Sequence, residues 1–232
     1  MRSMLGKKSI KLICILLTAS QACLAAGNQP SKQNFDSRGS AVLDENETAH
    51  LVFMREEEKL ARDVYTTLGL AFPNLKIFGK IDDAEQRHTC AVCDMLKKYG
   101  VEDPSTNDNV GVYTGKLFGD YFTARYTALV DRGSVSALDA LYVGAYIEEM
   151  DMLDINYCPK EIIDLVPSIK SDADCGKVYT DNRDIQRLYE SLLEGSENHL
   201  RAFVKNIERR LGEGSYQAQV LEPDQLKDIL DR

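Results

Sequence analysis

The sequence lacks an excess of positive charge and any basic stripe. Lys and Arg number 28 against 37 Asp and Glu, which gives a formal net charge of −9, so nucleic acid is not an expected partner. It also lacks a convincing strand pattern and an internal repeat, which leaves an all-helical chain as the expectation. With 232 residues and 44% hydrophobic content, the chain is long enough for one large domain or two small ones.

The apolar run near the N-terminus, residues 12–19, is too short to span a bilayer. Four basic residues precede this run, namely Arg2, Lys7, Lys8 and Lys11. Small residues follow it, with Ala25 and Ala26 as plausible cleavage points, so residues 1–26 are predicted to be a secretory signal peptide. Removing them takes the formal charge from −9 to −13.

The leader predicts export to the periplasm or the extracellular space, with no membrane attachment after cleavage. The alternative is a lipoprotein signal acylated at Cys23. This alternative is less favoured because the sequence before Cys23 lacks the leucine that usually stands three residues earlier.

Cysteines are few after the predicted cleavage, and their number is even. They are Cys90, Cys93, Cys158 and Cys175. An even number in an exported chain favours structural disulfides, and we expect Cys158 to pair with Cys175. The alternatives are a redox pair in Cys90-x-x-Cys93 and a zinc or iron site using all four thiols. The second is disfavoured because there is no second Cys-x-x-Cys.

Apolar residues recurring every three or four positions predict six helical segments. They span residues 47–68, 77–99, 116–131, 135–155, 183–211 and 223–231. Residues 27–44 are predicted to be a flexible tether, 45–212 a helical bundle, and 213–232 a C-terminal extension. The fold class is therefore all-α, a bundle of four long helices with an extra helix inserted before the third long one.

Each of the four long helices carries polar residues inside its apolar stripe. They are Glu58 on the first, Glu85 and His88 on the second, Glu148 with Asp151 one turn on in the third, and His199 on the fourth. Buried carboxylates and imidazoles are costly unless they are paired, hydrogen-bonded or bound to metal. Such side chains on facing helices are the ligand set of a dinuclear iron or manganese site.

A structural interpretation competes with the metal site. Glu58 could pair with Arg62 on a wet surface, and a lone buried histidine such as His199 is more often a hydrogen-bonded core residue than a ligand. Polar residues occur in the apolar stripes of all four helices. This favours the metal site, because the structural interpretation needs four independent coincidences.

The sequence resembles the ferritin-like superfamily, rubrerythrin relatives in particular, over about residues 47–211. The superfamily places a Glu seven residues before a Tyr on its first helix, as Glu58 and Tyr65 stand here, and Glu-x-x-His on its second, as Glu85 and His88 stand here. More narrowly, it is similar to an uncharacterised ferritin-like domain family of bacteria and archaea. Three stretches carry that likeness, residues 54–65, 143–149 and 195–201.

One departure from the superfamily pattern concerns the fourth helix, which usually carries a second Glu-x-x-His. Ser196 stands three residues before His199, so the carboxylate count is one short unless Glu149 or Asp151 supplies the missing group. A single bound metal is the alternative.

The resemblance implies a metalloenzyme in which two iron ions, or manganese, react with dioxygen or peroxide. Tyr65 beside the site is the candidate catalytic residue, as a donor of a proton or an electron. Electrons would come from an external donor, since no rubredoxin-like four-cysteine module is present. The alternatives are a bundle that binds metal or a partner without turnover, and a bundle with a buried ion-pair cluster and no metal. The sequence leaves open whether the chain forms a homo-oligomer.

Overall fold

The structure, a computed structural model, describes residues 42–231 except for the side chain of Asp82. This part of the chain contains seven helices and no strands, which confirms the predicted all-α class. The helices are α1 Glu45–Ala71, α2 Lys76–Tyr99, α3 Gly119–Gly133, α4 Ala137–Asn156, α5 Lys160–Leu165, α6 Arg183–Leu211 and α7 Pro223–Leu230. The predicted leader and residues 27–41 of the predicted tether lie outside the described residues.

Local sequence sets where the long helices begin and end. Asp44 and Glu47 form a capping box at the start of α1, and the side chains of Ser136 and Asn182 accept backbone N–H groups at the starts of α4 and α6. Gly100 ends α2 in the left-handed conformation, with φ of 69°, which glycine adopts without strain.

The four long helices α1, α2, α4 and α6 form a closed bundle. Helix α1 packs against α2 and α4, and α6 packs against the same two helices. Helix α3, the extra helix before α4, packs on α1 and α4, while α5 lies against α1 and α7 against α6. Each long helix therefore turns one side toward a shared interior.

The connection between α4 and α6 differs from the expectation in one respect. The apolar periodicity predicts no helix between residues 155 and 183, but a short helix, α5, forms directly after Pro159, since proline is favoured at helix starts. The predicted disulfide between Cys158 and Cys175 is present, whereas Cys90 and Cys93 are free thiols.

No helix within residues 42–231 is both long and apolar enough to cross a membrane.

Helix α1 is the central element, because every residue from Phe53 to Tyr65 is buried. Its buried set includes seven charged residues: Arg55, Glu56, Glu57, Glu58, Lys59, Arg62 and Asp63. A helix buried on all sides cannot leave these groups in water, so each must meet a partner in the fold.

The loop between α2 and α3 supplies partners for one side of α1. Lys59 forms an ion pair with Asp63, and its Nζ donates to the carbonyl of Asn109 at 2.9 Å. Arg62 contacts Asp63 at 2.8 Å and Asp108 at 2.7 Å. The backbone N–H of Gly111 donates to Asp63 at 2.9 Å. Asp63 therefore holds two cations and the loop at once.

We predict that Asp63→Ala destabilises the protein by about 3–5 kcal/mol, because it leaves Lys59 buried without its counter-charge. Urea denaturation followed by circular dichroism measures the loss. Asp131→Ala is the matched control, since Asp131 is exposed on α3 and its loss should change stability by no more than about 0.5 kcal/mol. Equal effects of the two substitutions would contradict this account of the loop.

Candidate metal centre

The Glu85 carboxylate lies between two histidines in the middle of the bundle. Its Oε2 is 3.1 Å from Nδ1 of His88, three residues on in α2. Its Oε1 is 2.7 Å from Nδ1 of His199 on α6. The two imidazole rings are 5.6 Å apart between centroids. Glu85 is thus shared by two ligand sets on different helices.

Two further carboxylates complete these sets. Glu58 on α1 places Oε2 3.5 Å from Nδ1 of His88, and Glu148 on α4 places Oε1 3.4 Å from Nδ1 of His199. One ligand atom from each of Glu58, Glu85 and His88 lies within 4.8 Å of the others, and the same holds for Glu85, Glu148 and His199. The structure therefore brings together five of the six residues that the four apolar stripes singled out, all except Asp151.

The structural alternative requires an ion pair between Glu58 and Arg62, and this pair does not form. Glu58 is 1% exposed, and Arg62 binds Asp63 and Asp108 instead. Glu58 and Glu148 are both buried in the interior and do not point to solvent on opposite sides of the bundle.

The electrostatics of these side chains follow from burial and close contact. Burial opposes the charged rings, but the carboxylates beside them raise the pKa of His88 to about 11 and that of His199 to about 10. Burial would raise the pKa of Glu85, but His199 and His88 lower it to about 2. Burial raises the pKa of Glu58 to about 7, against the pull of His88. Protonated imidazoles thus offset part of the carboxylate charge.

Asp151 lies close to the two ligand sets but belongs to neither. Ser196 donates its hydroxyl hydrogen to Oδ2 of Asp151, while Oδ1 is buried without a hydrogen-bond partner. Burial, together with the charges of Glu58 and Glu148, raises the Asp151 pKa well above its usual range. Ser196 on α6 therefore holds a carboxylate from the neighbouring helix α4.

Glu149 is buried but belongs to a different contact. Its Oε1 accepts from the Tyr216 hydroxyl at 2.6 Å, and its Oε2 accepts the backbone N–H groups of residues 219, 220 and 221. Both oxygens are therefore committed to holding the C-terminal segment. The structure does not bring Glu149 to the cluster, because its neighbour Glu148 occupies the inward position.

Tyr65 lies in contact with the centre. Its hydroxyl donates to Oε1 of Glu148 at 2.6 Å and lies 3.3 Å from the carbonyl oxygen of Gly144. Burial, with Glu148 and Glu85 nearby, raises the Tyr65 pKa well above its usual range. The side chain therefore keeps its proton and directs it at one of the candidate ligands.

Sequence reasoning missed the role of Gly195. A Cβ atom at this position would lie 2.4 Å from Cε1 and 2.6 Å from Nε2 of His88. The ring of His88 therefore packs directly on the backbone of α6, where a side chain larger than hydrogen does not fit. The sequence contains a signal for this role. Glycine destabilises the interior of a helix, yet Gly195 stands in the middle of one, directly before Ser196.

Fold and site together define a helical bundle with buried Glu and His groups that could bind metal ions. The chain belongs to the family described as "Uncharacterized protein domain (DUF2202)", which it matches over residues 47–232. It is 38% identical over 188 residues to the uncharacterized protein MJ0754 of Methanocaldococcus jannaschii, covering 81% of this chain and 88% of that protein. The crystal structure of the hypothetical protein MJ0754 from Methanococcus jannaschii superposes with a TM-score of 0.69 at 37% identity, covering 84% of this chain and 98% of that chain.

We predict that Gly195→Ala displaces the His88 ring from Glu85 and Glu58, because the new methyl group would overlap it. Imidazole ¹⁵N chemical shifts of His88 measure the change, since loss of both carboxylates should lower the ring's pKa toward its usual value. Gly79→Ala is the control, because a Cβ on that residue of α2 meets nothing within 4 Å. Unchanged His88 resonances in Gly195→Ala would contradict the packing argument.

Proposed function

We propose that the protein is a metal-binding bundle of the ferritin-like type with a dinuclear centre of iron, or alternatively manganese, that reacts with dioxygen or peroxide. The observation that carries this proposal is a set of buried ligand atoms without hydrogen-bond partners. They are Oε1 of Glu58 and Oδ1 of Asp151. Leaving such atoms buried and unpaired costs about 1–3 kcal/mol each or more, and coordination to a cation would satisfy them.

Charge balance supports two ions in preference to one. Glu58, Glu85, Glu148 and Asp151 carry four negative charges when they are ionised, and metal-bound histidines are neutral. Two divalent cations match that charge, whereas a single one would leave about two negative charges in a dry interior. We assign Asp151 as the carboxylate that Ser196 does not provide, because its Oδ1 is buried without a hydrogen-bond partner while both oxygens of Glu149 accept hydrogen bonds from the C-terminal segment.

The donor types favour iron or manganese. Carboxylate oxygens suit hard metals, and imidazole suits iron. Two such ions, when bound, would supply the electrons for reduction of dioxygen or a peroxide. No thiol belongs to either ligand group, so electrons for repeated turnover would come from an external donor.

The chain's own residues hold and orient the site. Glu85 spans the two ligand groups, Ser196 fixes Asp151, and Tyr65 directs a hydroxyl proton at Glu148. We assign Tyr65 as the donor of a proton or an electron in the reaction, because its hydroxyl lies in contact with the candidate ligand Glu148. The alternative is a bundle that binds metal ions without turnover.

We propose export as the setting of this activity. The predicted leader supports it, and so does the Cys158–Cys175 disulfide, a bond typical of oxidising compartments.

The proposal predicts that protein prepared anaerobically with Fe²⁺ or Mn²⁺ holds about two ions per chain, and that Glu85→Ala and His88→Ala each lower the content several-fold. Elemental analysis after removal of free metal measures the content. Asp83→Ala is the control, since it removes an exposed carboxylate from the same helix. A wild-type protein without stoichiometric metal would refute the proposal. Oxidation of Fe²⁺ with dioxygen or peroxide then separates a reactive centre from simple binding.

The assignment of Asp151 predicts different consequences for the two acids that the sequence left open. Asp151→Ala should lower the metal content about tenfold at limiting metal. Glu149→Ala should leave the metal content unchanged but cost about 1–3 kcal/mol in stability, because several donors lose their acceptor. Elemental analysis and urea denaturation of both variants measure the two effects. The reverse result would show that Glu149 is the fourth carboxylate.

A further inference from the structure

The proposed centre leaves one motif of the sequence unused, the pair Cys90-x-x-Cys93 on α2. Both cysteines are free thiols and both are half-buried, so each is partly open to solvent. The Cys158–Cys175 disulfide differs from this pair, because its two cysteines are 4% and 0% exposed. The chain therefore has one closed, buried disulfide and, separately, two accessible thiols on a single helix.

The spacing of the two thiols allows a bond between them but does not favour a relaxed one. Positions three apart on an α-helix have Cα atoms about 5 Å apart, within the range of about 4.4–6.8 Å that a disulfide spans. Their Cβ atoms are about 5–6 Å apart, whereas a relaxed disulfide needs about 3.5–4.5 Å. A bond between Cys90 and Cys93 therefore requires the helical turn to tighten. Disulfides strained in this way are easily reduced, and they are the reactive kind rather than the structural kind.

The two sulfur atoms have different hydrogen-bond partners. The Cys93 thiol donates to the carbonyl oxygen of Cys90 at 2.9 Å, so its proton is held on the turn that contains the other cysteine. The sulfur of Cys90 instead accepts from the side-chain N–H of Gln86 at 3.4 Å. Gln86 is held in turn by Arg62, whose Nη1 donates to Oε1 of Gln86 at 3.2 Å. Gln86 and Arg62 therefore position the sulfur of Cys90.

The neighbouring helix α1 supplies a second arginine with an unused donor. Arg55 is 6% exposed, and its Nε binds Asp103 at 3.2 Å. Its Nη1 is buried and has no hydrogen-bond partner in the part of the chain that the structure describes. Burial raises the pKa of the Cys93 thiol to about 11, and the charge of Arg55 opposes that rise. Cys93 is therefore the more weakly nucleophilic thiol, with a cation nearby for the charge that forms when it reacts.

From these contacts we infer that Cys90 and Cys93 form a reversible dithiol–disulfide site that exchanges electrons with disulfides and thiols outside the chain. Cys90 attacks first and Cys93 closes the bond. The inference does not depend on the proposed metal centre, because it uses none of the candidate ligands.

The exchange balances as two successive attacks on sulfur. Cys90 gives up its proton and attacks one sulfur of an external disulfide, R–S–S–R. The bond between Cys90 and that sulfur forms, the R–S–S–R bond breaks, and the leaving thiolate takes up a proton. Cys93 then loses its proton and attacks the sulfur of Cys90, which releases the second thiol. The two cysteines are oxidised by two electrons, and the external disulfide is reduced to two thiols.

The test uses glutathione as the probe and the full chain as purified. The protein is equilibrated without oxygen in mixtures of reduced and oxidised glutathione, and free thiols are then blocked with a maleimide. Mass spectrometry and peptide mapping identify the bonds. We expect a Cys90–Cys93 bond that forms as the mixture becomes more oxidising and opens again when reduced glutathione is added. Cys158–Cys175 should stay closed in every mixture, because it is buried, and it serves as the internal control.

Single substitutions test the order of the two attacks. Cys93→Ser stops the exchange halfway and should accumulate one glutathione on Cys90. Cys90→Ser should take up glutathione on Cys93 about tenfold more slowly. Ala91→Ser is the matched control, because it adds a hydroxyl at an exposed position of the same helix, and it should match the wild type in rate and product.

The outcomes separate this inference from the proposed function. The site is overturned if the wild type stays reduced in oxidised glutathione, or if each cysteine binds its own glutathione and no Cys90–Cys93 bond forms. Equal rates in the two serine variants would overturn the assigned order of attack. Elemental analysis of the same samples tests the centre by itself: a chain that forms the bond but holds no metal would refute only the centre, and a chain that holds metal but never forms the bond would refute only the dithiol site.

Discussion

The structure depends on how negative charge is accommodated in a dry interior. Glu58, Glu85, Glu148 and Asp151 lie in the middle of the bundle with two imidazoles as the nearby cationic partners. The carboxylates raise the pKa values of both His88 and His199, so protonated imidazoles offset part of this negative charge. Uptake of divalent ions would exchange those protons for metal. The bundle can therefore keep its acids buried in both states.

The clustering of Glu and His side chains could be predicted from the sequence because the helical period is a strong signal. Glu58, Glu148 and His199 each occupy a position where an apolar residue would complete a stripe, and the closed packing of α1, α2, α4 and α6 brings those positions to one interior. The face of a helix on which a side chain lies follows from its spacing to other residues of that helix. No knowledge of the loops was needed for these residues.

Other parts of the interior could not be predicted, because partners distant in sequence create them. Glu149 is out of phase with the inward stripe, yet it is buried, because a segment 67–72 residues later folds over it and donates its hydroxyl and backbone hydrogens. Lys59 and Asp63 are buried by the loop after α2. Gly195 matters through a single contact with His88. Periodicity within one helix contains none of this information.

Helix α1 shows how a structural charge cluster differs from a candidate ligand set. On the side facing the loop, Lys59 and Arg62 are neutralised by Asp63, so the protein balances its own charge. Glu57 and Glu58, on the side facing α2 and α4, meet further acids and have no lysine or arginine as an ion-pair partner within the described residues. A purely structural cluster would resemble the first side, because selection for stability alone favours paired or apolar interiors. The charge on the second side is balanced only by protons or added cations, and that is the property that the proposed metal centre requires.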